Sequence, residues 1–349
     1  MRYPFCPQEV LYKMTHEFKS IVAAYSLAQK QGVNCVLASV VALEGTSYRR
    51  PGVRMLILED GSTVGAVSGG CVEKEVIRQA QAVFQSGTPR TMVYDGRYRL
   101  GCDGQLYLLL EPFRPNETLL VAFKDIVENR KVFKLQSFFE RTPQDSATYG
   151  TWISFGTQPY PLNAEQTSIP NGIEIFEQPM PPCFRLLLLG AEHDAVQLCQ
   201  FAAATGWEVT VVASPDEEKS KKHFPGASQF IAIAPEQLAV AIDQETAVMV
   251  MSHSFSKDLR YVIALKETNP GYFGLLGPSK RREKLFDALL ERCPELSDTF
   301  LDLIHGPAGL HIGAETPQEI AIAVLAEILA VVRGKQPDFL KEKSGKIHS

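Results

Sequence analysis

The sequence lacks most of the features that would place it in a specialised class of protein. Its seven cysteines are odd in number and none forms a Cys-x-x-Cys pair, which argues against both a disulfide framework and a zinc knuckle. No apolar run is long enough to span a bilayer, and the first residues have no signal-peptide core. The net charge of -5 offers no basic face to nucleic acid. We therefore expect a cytoplasmic protein with free thiols, no stable membrane anchor and no nucleic-acid partner.

The length of 349 residues is enough for two domains, and a proline-rich break separates two different patterns. We predict a mixed α/β domain over residues 1–177 and a linker over residues 178–184. A Rossmann-like, doubly wound parallel sheet is predicted over residues 185–333 because strands and helices alternate there. A polar tail covers residues 334–349.

A glycine-flanked cysteine is the central feature of the first domain. The apolar runs 55–58 and 63–67 predict a hairpin, and helical periodicity begins just after Ser68-Gly69-Gly70-Cys71. Amide groups at a helix N-terminus bind anions and favour a thiolate, and glycines allow a ligand to approach the backbone. A small, inert cysteine buried at a helix start would give the same pattern.

A second cysteine, Cys102, lies in Gly101-Cys-Asp103-Gly104, just before an apolar run that predicts a strand. A turn position buries little, so packing does not explain this cysteine well. Whether Cys102 and Cys71 are neighbours in space is left open by the sequence.

Three arginines accompany a glycine turn and a Pro-Gly turn. They are Arg49, Arg50 and Arg54, and their forked donors suit a phosphate. Clustered arginines near turns also form ordinary solvated faces, so the cluster alone does not define a site.

The second domain carries an incomplete dinucleotide fingerprint. Its first turn, Gly190-Ala-Glu-His-Asp-Ala, has one glycine, and the next strand ends in Val212-Ala-Ser-Pro without an acidic residue. Further strands are expected at residues 246–251, 261–266 and 272–276, and Thr316 with Glu319 predicts a capping box at the start of the last helix. In the first domain, the continuous apolar run at residues 35–43 predicts a strand buried on both faces, and residues 158–170 are expected to form a loop. The fold prediction stands, but NAD(P) binding has little support.

Taken together, the motifs resemble the XdhC/CoxF (CoxI) family of accessory maturation factors for xanthine and carbon monoxide dehydrogenases. The matching segments are Gly45-Thr-Ser-Tyr-Arg-Arg-Pro-Gly-Val-Arg-Met, Gly65-Ala-Val-Ser-Gly-Gly-Cys-Val-Glu, Gly101-Cys-Asp-Gly, Gly274-Leu-Leu-Gly-Pro-Ser-Lys-Arg-Arg and Gly309-Leu-His-Ile-Gly-Ala-Glu-Thr-Pro-Gln-Glu-Ile-Ala. The sequence departs from the family pattern at Glu192, at Ala213 and Ser214, at Pro278 and at Asp103.

The resemblance implies a protein that binds the molybdenum cofactor (molybdopterin), protects it during sulfuration with a cysteine desulfurase, and delivers it to an apo-molybdoenzyme of the xanthine dehydrogenase type. It assigns reactive roles to Cys102 and Cys71. The residues themselves predict no metal site made by protein ligands, because no i, i+4 ligand pair is formed by His193, His253, His305 and His311. The expected cofactor-binding residues are Arg49, Arg50, Arg54, Ser68, Gly69, Gly70, Gly101, Asp103, Gly104, Gly190, His193, His253 and Lys280. A homodimer is left open.

The alternative is an NAD(P)-dependent oxidoreductase, or another nucleotide-binding protein, that acts through the Rossmann-like domain. An intact glycine fingerprint and an acidic strand tip would have favoured it. Both are missing, so the sequence favours a cofactor chaperone over an enzyme with turnover of its own.

Overall fold

The computed structural model describes residues 14–45, 47, 50–96 and 104–342, and of Cys71 it describes the backbone only. The chain forms two compact units, residues 1–183 and 184–349. We call them unit 1 and unit 2. Unit 1 contains α1 (Thr15–Lys30), β1 (Cys35–Glu44), β2 (Arg54–Leu58), β3 (Thr63–Gly65), α2 (Cys71–Ser86), β4 (Arg90–Asp95), β5 (Gln105–Pro112), α3 (Glu117–Glu128), β6 (Phe133–Phe139), β7 (Gly150–Phe155), β8 (Gln158–Pro161) and β9 (Glu174–Met180).

Unit 1 is built on two antiparallel sheets. The first has the strand order β3-β2-β1-β5-β4 and the second has the order β8-β7-β6-β9. The central strand β1 is buried from Cys35 to Ala42, as its continuous apolar run predicts. Its residues contribute to a large core that includes Phe18 of α1 and to a smaller one that includes Phe139 of β6.

Unit 2 contains β10 (Arg185–Leu189), α4 (His193–Ala204), β11 (Glu208–Ala213), β12 (Ala227–Ala232), β13 (Thr246–Val250), α5 (Phe255–Ala264), β14 (Tyr272–Leu275), α6 (Ser279–Arg292), α7 (Asp298–Leu303), β15 (Ile304–His305) and α8 (Pro317–Val332). The strands form one parallel sheet in the order β12-β11-β10-β13-β14-β15. This is the Rossmann order, and helices cover both faces. The predicted fold class is confirmed.

Local predictions mostly agree with the structure. The 55–58 and 63–67 hairpin is confirmed, although its second strand ends at Gly65. Thr316 and Glu319 form the capping box that the sequence predicts at the start of α8.

Three predictions of local structure are wrong. Residues 261–266 do not form a strand, because residues up to Ala264 complete α5, whose first turn is capped by Ser254. The predicted loop at 158–170 begins with strand β8. The predicted linker starts inside β9, which continues to Met180 because it pairs with β6.

Candidate functional site

The start of α2 is an open glycine turn. Cys71 is the first residue of the helix, as predicted, and the residue before it, Gly70, has a φ of 56°. Gly69 and Gly70 are exposed, and a Cβ added at either would meet no atom within 4 Å. Gly70 provides no side chain to cap the helix, so its N-cap residue leaves the first amides of α2 available to another partner. Ser68 is half-buried beside this turn.

Strand pairing brings the other glycine-rich segments to the same end of the first sheet. Glu44, the last residue of β1, pairs with Gln105 at the start of β5, and Gln105 pairs with Asp95 at the end of β4. Gly65 at the end of β3 pairs with Met55 near the start of β2. Because neighbouring strands of this sheet are antiparallel, the ends of β1, β3 and β4 and the starts of β2 and β5 all lie at the same end of the sheet. The chain therefore leaves this end of the sheet after β1, after β3 and after β4.

Several predicted site residues lie in those connections but outside the described residues. They are Arg49, Gly101, Cys102 and Asp103, together with the side chain of Cys71. The carbonyl of Gly104 accepts a hydrogen bond of 3.0 Å from the amide of Gly96, so the two ends of the segment that carries Cys102 lie side by side. Arg50 is half-buried and already interacts within the protein.

Arg54 lies in the core of unit 1, although its sequence context predicts a phosphate ligand. Its side chain is 3% exposed, and Nη1 donates hydrogen bonds to the carbonyl of Gly52 and to the side chain of Gln178. Burial lowers the pKa of Arg54 to about 10, against the opposing effect of Glu111, so the guanidinium stays charged at neutral pH. As it lies, this group does not reach a ligand at the surface.

Glu111 is a buried carboxyl group that no sequence motif singles out. It lies on β5, is 0% exposed, and accepts hydrogen bonds from the backbone amide and the hydroxyl of Thr151 on β7. Burial raises its pKa to about 7, although the bonds from Thr151 and the charge of Arg54 act in the other direction. Glu111 therefore joins the two sheets of unit 1 beside the buried arginine.

At the carboxyl edge of the parallel sheet in unit 2, His253 and Asp194 form a pair. Nε2 of His253 lies 3.1 Å from Oδ2 of Asp194, and His253 has a positive φ of 55°. His253 lies in the turn after β13, and Asp194 lies in the first turn of α4, which follows β10. The strand order reverses between these two strands, where α/β sheets usually bind ligands. His193 and Lys280 are exposed in the first turns of α4 and α6.

The phosphate position of the Rossmann turn is taken by side chains of unit 2 itself. Nζ of Lys219 donates to the carbonyl of Ala191 at 2.5 Å and lies 3.3 Å from Oε2 of Glu192, the residue that precedes α4. An ammonium group and a carboxylate thus occupy the turn that binds pyrophosphate in dinucleotide-binding proteins. Gly190 has no room for a Cβ, which would lie 2.5 Å from the carbonyl oxygen of Met251.

The acidic residues beyond β11 are also paired internally. Asp216 and Glu217 follow the strand after Ser214 and Pro215, and their carboxylates lie 3.6 Å and 3.3 Å from Nζ of Lys257. The dinucleotide-binding fingerprint requires an acidic residue at the end of the second strand, so it does not identify acidic residues that come later in the chain. Neither the phosphate turn nor this acidic segment presents an unpartnered dinucleotide site.

Comparison with known proteins gives the family. The profile of the XdhC and CoxI family matches residues 28–95, and that of the XdhC Rossmann domain matches residues 186–328. A protein of Bacillus subtilis (strain 168), named as a probable xanthine dehydrogenase subunit, is 30% identical over 84% of this chain and 92% of its own length. The chain belongs to the XdhC and CoxI family.

Two further relatives of this XdhC-family chain are informative. The molybdenum cofactor insertion chaperone PaoD of Escherichia coli (strain K12) is 27% identical over 93% of this chain and 92% of its own length. A crystal structure described as a xanthine dehydrogenase from Bacillus halodurans is 27% identical, with a TM-score of 0.73 over 90% of this chain and 96% of that one.

The described part of the chain offers neither a membrane span nor a metal centre of its own. None of its helices combines the length and the apolar character needed to cross a membrane. Within the same residues, no group of three or more His, Cys, Asp or Glu side chains is arranged to hold a metal ion.

Proposed function

We propose that the chain binds the molybdenum cofactor at the glycine-rich end of the first sheet of unit 1 and acts as its chaperone. In this proposal the glycines and cysteines of unit 1 would hold and shield the cofactor while a cysteine desulfurase sulfurates it. The loaded protein then delivers the cofactor to an apo-molybdoenzyme of the xanthine dehydrogenase type. The name of the related E. coli protein, a cofactor insertion chaperone, supports this proposal.

The observation that carries the proposal is the convergence of three connections on one sheet end. The exposed glycines Gly69 and Gly70 lie in one of them, and the segment that carries Cys102 starts and ends at the same sheet end. Backbone amides without nearby side chains suit the phosphate of the cofactor. The cysteines at positions 71 and 102 are the thiols assigned to the molybdenum or its dithiolene.

The alternative function, NAD(P)-dependent oxidoreduction through unit 2, has less support. Its phosphate turn contains Glu192, and an anionic ligand at that turn would meet this carboxylate. The ammonium of Lys219 would have to leave its present partners to compensate for it.

The test is equilibrium binding of molybdenum cofactor, followed by pterin fluorescence and molybdenum analysis, with NAD titrated in parallel by calorimetry. Wild type should bind the cofactor, and Cys102→Ala and Cys71→Ala should weaken binding at least about tenfold, a loss of about 1.4 kcal/mol. Cys199→Ala is the matched control, because Cys199 is buried in unit 2.

Delivery is tested separately by the activity that an apo-dehydrogenase gains from loaded protein. Wild type and Cys199→Ala should activate it, whereas Cys102→Ala should not. If wild type binds NAD but no cofactor, the chaperone proposal is wrong and unit 2 is the working part of the protein.

A further inference from the structure

A cavity of about 410 Å³ lies in unit 1, at the opposite end of the first sheet from the glycine-rich connections. One wall is the turn between α2 and β4, residues 86–89. Since β4 starts at Arg90 and reaches the glycine-rich end with Asp95, this turn belongs to the other end of the sheet. Small-molecule sites have volumes of about 300–1,000 Å³. The cavity is therefore large enough for a ligand and is separate from the site proposed for the cofactor.

Hydrogen bonds hold together the three segments that surround the cavity. The amide of Ser146 donates to the carbonyl of Pro89 at 2.9 Å, which ties the segment before β7 to the turn after α2. Nε2 of Gln166 donates to the carbonyl of Tyr149 at 2.5 Å, which ties the segment after β8 to the segment before β7. The walls are thus held by contacts within unit 1, and a ligand would not have to assemble them.

Asn163 is a buried polar residue that lines the cavity, and it is only 3% exposed. Its Oδ1 accepts a hydrogen bond of 3.3 Å from the amide of Glu165. This bond fixes the orientation of the side-chain amide, because only the oxygen can accept it. Nδ2 has no hydrogen-bond partner among the described residues. A buried donor without a partner costs free energy, and a ligand oxygen in the cavity would supply the missing acceptor.

Uncharged hydroxyl groups make up most of the polar lining. They belong to Ser86, Thr88, Thr148, Thr167 and Ser168. Those of Thr88, Thr167 and Ser168 form no side-chain hydrogen bond with any described residue. Among the lining residues that the structure describes, none is basic or aromatic, and the carboxylate of Glu165 is paired with Arg114 at 2.7 Å. The cavity therefore has no cation for a phosphate or a carboxylate and no aromatic ring on which a base could stack.

We propose that this cavity binds a neutral polyhydroxylated molecule of the size of a monosaccharide, with Nδ2 of Asn163 donating to one of its oxygen atoms. A sugar hydroxyl is both a donor and an acceptor, as are the hydroxyls of the lining, so the two sets satisfy each other. Pro89 and Ala147 offer apolar contacts to the C–H groups of the ring. The sugar is either free or the ribose of a nucleoside, since both present neighbouring hydroxyls. The site does not depend on the proposed role in cofactor binding.

Calorimetric titration of the full chain with D-glucose, D-ribose and adenosine tests the proposal. Wild type should bind at least one of these probes with a dissociation constant of about 1 mM or lower, and inorganic phosphate should not compete. Asn163→Ala should weaken the binding at least about tenfold, because it removes the buried donor. Thr88→Val should weaken it about threefold or more, and it tests the cavity even if circular dichroism shows Asn163→Ala to be unfolded. Thr63→Val is the matched control, since Thr63 is exposed on β3, and it should bind like wild type.

The three probes distinguish the two sources of the sugar. Binding of adenosine without either free sugar assigns the cavity to nucleosides, whereas binding of a free sugar assigns it to monosaccharides, and both results support the proposal. Failure of all three probes to bind, binding that survives Thr88→Val and a folded Asn163→Ala, or displacement by inorganic phosphate overturns it. A crystal soaked with the bound probe that shows only water at Nδ2 of Asn163 would also overturn it.

Discussion

The guanidinium of Arg54 donates a hydrogen bond to the side-chain oxygen of Gln178, 124 positions later in the chain. The same nitrogen also donates to the carbonyl of Gly52 at 2.8 Å. Arg54 thus connects β2 and the turn before it to β9. This turn ends the segment that carries Arg49 and Arg50, so a buried residue anchors the segment expected to contact the cofactor.

Replacing Arg54 by methionine should strongly destabilise unit 1. The change leaves the Gly52 carbonyl and the side-chain oxygen of Gln178 without their donor, and each buried acceptor left unpaired costs about 1–3 kcal/mol. Denaturant unfolding followed by a probe in unit 1 measures the effect. Arg141→Met is the control, because Arg141 is exposed beside Glu44 and Glu174, and it should cost under about 1 kcal/mol. Equal costs would contradict the structural role of Arg54.

Glu111 should make the stability of unit 1 depend on pH. Its pKa is raised from 4.5 to about 7 in the folded protein, so between these values the folded state binds more protons than the unfolded state. The contribution of Glu111 to the free energy of unfolding is complete below about pH 4.5 and is lost as the pH rises through about 7. In this range the free energy of unfolding falls by at most about 1.4 kcal/mol per pH unit.

Unfolding free energies measured from pH 5 to 8 check this dependence. Glu111→Gln should flatten the decline relative to wild type, because glutamine has no proton to exchange. Glu128→Gln, at an exposed position at the end of α3, should keep the wild-type slope. A wild-type curve parallel to that of Glu111→Gln would show that Glu111 does not titrate in this range.

The sequence predicts elements with a strong local signal and misses those decided by distant residues. The buried run of β1 and the Thr316–Glu319 capping box are visible locally, and both are confirmed. The apolar residues 261–265 are too few to distinguish a strand from a helix by periodicity. The available signal was Ser254, whose side chain caps α5.

The site is less predictable than the fold for the same reason. An arginine beside a turn resembles a surface residue, and the burial of Arg54 depends on Gln178 and Glu111, which are far away in sequence. Likewise, the position of Lys219 at the Rossmann turn depends on the path of the chain between β11 and β12, which no local motif reveals.

Gly190 should be irreplaceable because of close packing. A Cβ there would lie 2.5 Å from the Met251 carbonyl oxygen, and its φ is +130°. Gly190→Ala should therefore destabilise unit 2 by more than the roughly 1–3 kcal/mol of backbone strain alone. Gly313→Ala is the matched control in unit 2, since Gly313 has a φ of +77° and no atom within 4 Å of an added Cβ. Its cost should be that of strain only. Thermal unfolding of both variants gives the comparison, and equal costs would exclude a packing role for Gly190.

The cysteines should differ widely in their rates of alkylation. Cys35 and Cys199 are buried, and burial raises the pKa of each thiol to about 11, so almost none is thiolate at pH 8. Since the thiolate is the nucleophile, both should react slowly with iodoacetamide in the folded protein. Cys71, after the open glycines at the start of α2, should react at least about tenfold faster.

Peptide mass mapping over a time course measures each rate of alkylation, and a denatured sample shows the rates without protection by the fold. If Cys71 in the folded protein were as slow as Cys199, the inert, buried interpretation of Cys71 would hold, and the role in cofactor binding would rest on Cys102 and the glycine amides.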